Sequence, residues 1–114
     1  MTIIEIAELV NGKITGSEEN NNAIVEKAFA SDLMSDVLTV EDPNVLLITG
    51  LSNVQTIRTA EMADLKMIVI GRNKIPTEDM ISLAEDCGIT IIQSPYSLFK
   101  ISGLLFQRNI KPLF

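Results

Sequence analysis

Val45-Leu46-Leu47-Ile48, Met67-Ile68-Val69-Ile70 and Ile89-Thr90-Ile91-Ile92 are three short apolar runs that begin at residues 45, 67 and 89. Each starts 22 residues after the one before (67 − 45 and 89 − 67). The runs close on polar or glycine-containing turns, and each turn feeds a stretch of helical spacing. A period of this length accommodates one β-strand and one crossover helix. Continuous rather than alternating apolar character predicts parallel strands buried on both faces, hence an α/β fold with a three-layer-like parallel sheet core and flanking helices. The turns at the carboxyl ends of such strands are where open parallel sheets usually hold ligands.

Outward from the repeats, the helices announce their ends. Ser52-Asn53-Val54-Gln55 has the form of a capping box, and Val54, Ile57, Ala60, Met62 and Ala63 supply a buried side up to Asp64. Pro76 suits the first position of the next helix, with Met80, Ile81, Leu83 and Ala84 inward and Gly88 as its stop. Ser94-Pro95 reads as the N-cap and first residue of the last helix, whose stripe is Leu98, Ile101, Leu104 and Leu105; Gly103 interrupts it. Residues 109–114 read as a tail with an apolar end, Leu113-Phe114, suited to docking on a partner.

The amino-terminal part is less regular. Thr2-Ile3-Ile4-Glu5 is a capping box opening a helix to about Val10, with Ile3, Ile6, Ala7 and Val10 on one face and Asn11-Gly12 at its end. Residues 13–22, with Gly16, Ser17, two glutamates and three consecutive asparagines, read as a mobile polar loop. In residues 23–40, Ile24-Val25, Ala28-Phe29 and Val37-Leu38-Thr39-Val40 suit short strands, and residues 32–36 a single helical turn. Glu41-Asp42-Pro43-Asn44 is a turn into the first repeated strand. The expected organisation is one domain, residues 1–114, divided into an irregular 1–44 and a repeating 45–108.

Composition narrows the function. The chain has 114 residues, with 9 basic and 15 acidic side chains for a formal charge of −6, and the scattered lysines and arginines offer no field for nucleic acid. Histidine is absent, which removes the commonest general base and metal ligand. No apolar run approaches the ~18 residues of a membrane span, and residues 1–5 lack a basic secretory start, so a cytoplasmic protein without a membrane partner is expected. Cys87, the single cysteine, stands before Gly88 at a helix end and reads as a small apolar group. The carboxylate pairs Asp32 with Asp36 and Glu85 with Asp86 read as solvated faces rather than metal ligands, and Met34, Met62, Met67 and Met80 as core filler. No phosphate-binding G-x-x-x-x-G-K-[ST] or dinucleotide G-x-G-x-x-G is present. No catalytic residue, metal site or cofactor is expected.

The candidate ligand site is the set of turns after the strands: Gly50, Ser52 and Asn53; Gly71 and Arg72; and Ser94. Helix N-termini at Ser52, Thr77 and Ser94 would aim free N–H groups at this edge, and Arg72, Lys74 and Arg58 would add positive charge for a small anion such as a nucleotide phosphate. Against this, glycines after strands are commonly turn residues and serines commonly caps. A mean hydropathy of +0.29 with 46% hydrophobic residues suggests instead that part of the surface is covered by a second copy.

Leu47-Ile48-Thr49-Gly50 followed by the helix with Gln55 and Ile57, then Met67-Ile68-Val69-Ile70-Gly71, then Leu83-Ala84-Glu85-Asp86-Cys87-Gly88-Ile89-Thr90-Ile91-Ile92 and Tyr96-Ser97-Leu98-Phe99, resembles the DRTGG domain from about Glu5 to Phe106. Members of that family accompany catalytic or regulatory modules in certain phosphotransacetylases and CBS-containing pyrophosphatases, and are similar to the amino-terminal domain of HPr kinase/phosphorylase. The chain departs from the naming motif: Gly50-Leu51-Ser52 stands where the family tends to have Gly-Asp-Arg, and Ile70-Gly71-Arg72 where it has Thr-Gly-Gly. The resemblance implies a non-catalytic, homodimeric, regulatory or scaffolding domain acting on a protein partner. Family ligand contacts made through the missing Asp and Arg are not implied.

Overall fold

The computed structural model of the chain describes residues 1–114. In chain order it contains α1 (Ile3–Leu9), β1 (Lys13–Gly16), β2 (Lys27–Ala30), α2 (Met34–Val37), β3 (Val45–Thr49), α3 (Val54–Met62), β4 (Met67–Ile70), α4 (Glu78–Cys87), β5 (Thr90–Gln93), α5 (Leu98–Gln107) and β6 (Lys111–Pro112). All six strands join one sheet in the order β1-β5-β4-β3-β2-β6. Every pairing is parallel except that of β1 with β5.

The three evenly spaced apolar runs are the centre of this sheet, with Leu46 opposite Met67 and Met67 opposite Thr90. Successive side chains point to opposite faces, so each strand feeds two cores. Leu46, Ile48, Met67, Val69 and Ile92 pack with Ile6 and Val10 of the α1 segment and Ile101 and Leu105 of α5. Leu47, Ile68, Ile70 and Ile91 pack with Val37 of α2, Ile57 of α3, and Met80 and Ala84 of α4. The result is the expected three-layer α/β arrangement. Every position of β3 and β4 is buried, and each fully buried aliphatic side chain contributes roughly 1.5–3 kcal/mol.

The helix ends follow local chemistry, with three shifts from the sequence reading. The α1 capping box forms: the Thr2 hydroxyl accepts from Glu5 N at 3.2 Å and Glu5 Oε1 accepts from Thr2 N at 2.9 Å. In α3 the cap is Asn53 rather than Ser52, its Oδ1 accepting from Thr56 N at 2.9 Å. In α4 the cap is Thr77 and Pro76 stands before it, outside the helix. In α5 the cap is Ser97, not Ser94. Ser94 instead prolongs β5: its backbone N donates to Ile70 O at 2.9 Å and its O accepts from Asn73 N at 3.1 Å, while α5 begins only at Leu98. Met62 is 68% exposed, because the buried side of α3 runs through Thr56, Ile57, Thr59 and Ala60, and a 100° step per residue carries Met62 to the opposite side.

The segment expected as a mobile polar loop, residues 13–22, contains β1. Its Lys13 pairs with Gln93 and its Gly16 with Thr90. Beyond it, Asn20 Nδ2 lies at 3.2, 2.9 and 3.1 Å from Lys66 O, Gly88 O and Thr90 Oγ1, so a polar side chain fastens the segment where no apolar one is available. Residues 23–40 provide one strand, β2, and the short α2, whereas Val37 and Val40 turn into the core rather than forming a strand. The 109–114 tail extends the sheet through β6, which pairs with β2. Leu113 packs partly into the α2–α4 core. Phe114 stays exposed, its ring edge-on to Phe29 with centroids 5.6 Å apart. No helix is long and apolar enough to cross a membrane.

Candidate functional site at the carboxyl ends of the strands

Four parallel strands, β2, β3, β4 and β5, deliver their following turns to one edge of the sheet. The residue that organises this edge is Asp32, just after β2. Its Oδ1 accepts from Gly50 N at 2.7 Å and from Thr49 Oγ1 at 2.9 Å, while Oδ2 lies 3.9 Å from the Arg72 guanidinium. Asp32 is solvent-exposed, as expected of a solvated face. It is also the junction of three turns, because parallel pairing of β2 with β3 carries the residues after Ala30 alongside Thr49 and Gly50.

Gly50 is buried beneath this pair. A Cβ there would stand 2.6 Å from Arg72 Cδ and 3.4 Å from Asp32 Oδ2, so the absence of a side chain lets Arg72 lie across the turn. Gly71 is likewise a close-approach residue: a Cβ would stand 2.8 Å from Ile101 Cδ1 and 2.9 Å from Leu98 Cδ2. The left-handed residues of that turn are Arg72 and Asn73, at φ 63° and 57°. The turns are stitched together by main-chain bonds, with Gly71 N donating to Thr49 O at 2.9 Å, Arg72 N to Tyr96 O at 2.8 Å and Asn73 N to Ser94 O at 3.1 Å.

Of the six candidate residues, the structure gathers Gly50, Ser52, Asn53, Gly71 and Arg72 along the edge. The Ser52 hydroxyl donates to Ile75 O at 3.2 Å, bridging two turns, and Asn53 is spent on its helix. Ser94 joins the edge through its backbone O alone: the residue is fully buried, its hydroxyl donating to Val10 O at 2.7 Å and accepting from Tyr96 N at 3.2 Å. Lys74 is exposed on the β4–α4 turn. Arg58 acts elsewhere, since its charge bears on Cys87 at the far end of α4. No three carboxylate or thiol side chains converge where a metal would be held. Asp32 and Thr49 are the participants the sequence reading missed, and the available signal was Ala28-Phe29 read as a strand, which puts Asp32 on this edge.

A mostly apolar concavity lies away from these turns. A groove of about 200 Å³ opens between α5 and the β2–β6 edge, walled by Ala28, Ala30, Ile48, Leu105, Phe106 and Pro112.

No curated protein sequence matches the chain. The fold is similar to the crystal structure of the CBS and DRTGG domains of the regulatory region of Clostridium perfringens pyrophosphatase, complexed with its activator diadenosine tetraphosphate. The TM-score is 0.75 at 14% identity, over 93% of this chain and 46% of that one. The chain thus spans less than half of that structure, and the likeness is one of fold. The family model of the DRTGG domain matches residues 5–107. With that match running through every helix and strand from α1 to α5, the chain belongs to the DRTGG domain family.

Proposed function

We propose that the chain is a non-catalytic regulatory or scaffolding module of the cytoplasm, working as a homodimer and through contact with a protein partner. The observation that carries this reading is apolar surface left uncovered on one side: Phe99 is 89% and Phe106 68% exposed on the outer face of α5, beside the apolar groove. Aromatic rings are costly to leave in water and are enriched where proteins meet. Membership of a family with a regulatory-region neighbour supports the regulatory part. Multi-angle light scattering at micromolar concentration is expected to give twice the 12.5 kDa chain mass. A monomer would overturn the homodimer.

A second reading is favoured by the Arg72–Asp32 pair: the module senses a small anion at the strand ends, near Gly50, Ser52, Asn53, Gly71 and Arg72. The pair is 3.9 Å long with both side chains more than a third exposed, so it is worth at most about 1 kcal/mol. A phosphate would displace Asp32 from Arg72 at little cost. Because the neighbouring regulatory region is complexed with diadenosine tetraphosphate, adenine nucleotides are the ligands to try first. At ~100 times its dissociation constant a ligand stabilises by roughly 2.7 kcal/mol, a rise of several degrees in Tm. Arg72→Ala should abolish that rise while leaving the unliganded Tm near its starting value. An unchanged rise in the variant removes Arg72 from the site.

A further inference from the structure

We propose that the outer face of α5 is the seat of the homodimer, pairing antiparallel with α5 of a second copy about a two-fold axis beside Ser102 and Gly103. This rests on the homodimer reading above and deepens it by naming the surface. Three observations converge on it.

The first is Gly103. A glycine inside a helix costs about 1 kcal/mol relative to alanine, so it calls for a compensating reason. The other five glycines have one within the chain, since a Cβ on any of them would meet another atom at 2.5–2.9 Å. A Cβ on Gly103 would meet nothing within 4 Å. Nothing in the chain's own packing needs this glycine, whereas an approaching helix backbone would.

The second is self-complementarity. Phe99 and Phe106 lie on the same outer side of α5, seven residues apart, or roughly 10 Å along the axis, with Ser102 and Gly103 midway between them. Reversing a second α5 about that midpoint places Phe99 of each copy beside Phe106 of the other. Isologous contact of this kind closes at two copies. The face also carries no carboxylate or other acidic group to be buried.

The third is the groove. Two phenylalanine rings bury ~300–500 Å² per copy, short of the ~800 Å² per partner of a standard interface. The walls beside Phe106 must supply the rest. At about 200 Å³ the groove is below the ~300 Å³ at which small-molecule pockets begin, yet comparable to an apolar ~150 Å³ cavity that accepts benzene. One phenyl ring fits, and Phe99 of the second copy is the ring delivered next to it.

Sedimentation velocity on the intact chain and on Gly103→Leu tests the assignment. The wild type should be dimeric, and Gly103→Leu should weaken the dimer roughly tenfold or more. Its far-UV circular dichroism should be unchanged, because the added side chain enters open space on an isolated copy. In a Cys87→Ser background, Ser102→Cys should form an intermolecular disulfide on mild oxidation, since only residues near the axis reach bonding distance, and Met62→Cys on α3 should not. A monomeric wild type overturns both the homodimer and its seat. A dimer unaffected by Gly103→Leu, or cross-linking equal at both positions, overturns the seat alone.

Discussion

Cys87 donates its thiol proton to Glu61 Oε2 across 2.7 Å, joining the last turn of α4 to α3. That bond, then partial burial, then the negative charges of Glu61 and Asp86 push the thiol above its ordinary range, with Arg58 opposing weakly. The thiolate being the reactive form, Cys87 should alkylate slowly with iodoacetamide at pH 8. Glu61→Gln should accelerate it several-fold; an unchanged rate would show that Glu61 does not hold the proton. The raised value stabilises the fold below the ordinary thiol range, and this contribution fades as pH climbs through the raised one. Glu5 has the opposite sign: the Thr2 N–H it accepts holds its carboxyl below the usual range, so its support for α1 is present above that range and lost as pH falls through the lowered value. Single residues were legible where their partners are near in sequence, as in the Thr2–Glu5 box. Asp32 was not, because its partners Thr49, Gly50 and Arg72 are 17 or more positions away and only the sheet brings them close.

Among the elements, those with both faces buried could be read from the chain, because β3 and β4 present long apolar runs and β5 the pair Ile91-Ile92 after Ile89. The edges could not. Lys13-Ile14-Thr15-Gly16 forms β1 while looking like loop, since an edge strand pairs on one side only and tolerates polar residues. Lys111-Pro112 forms β6 although proline donates no ladder bond, an edge position being where that loss is tolerated. The end of β1 depends on Gly16, held at φ 76° with a hypothetical Cβ only 2.6 Å from Ile89 O. Gly16→Ala should therefore cost about 1–3 kcal/mol, read as a lower urea midpoint with an unchanged slope. A neutral result would mean that β1 detaches without consequence. For α5 the sequence pattern showed the helix and its inner stripe but misplaced its start, because Ser94 and Ser97 are equally good caps by residue type and only contacts distant in sequence, with Ile70, Asn73 and Val10, hold Ser94 at the end of β5.

At the scale of the molecule, the two layers differ in how the chain supplies them. The α2–α4 layer alternates with β2, β3, β4 and β5 in unbroken order. The other layer joins the two extremes of the sequence, α1 at residues 3–9 and α5 at residues 98–107. A chain emerging from the ribosome thus finishes one side of its sheet turn by turn, while Ile48 and Val69 on the other side wait for α5. Until α5 is made, this face of the sheet is covered by the α1 segment alone, and the β2 edge waits for β6. A fragment ending at residue 97 should bind a hydrophobic dye such as ANS and associate with holdase chaperones, whereas the full chain should do neither. Equal dye binding by fragment and full chain would mean that α5 contributes little cover. α5 thus serves twice, as cover for the finished sheet and as the step that ends the exposure of its aliphatic face.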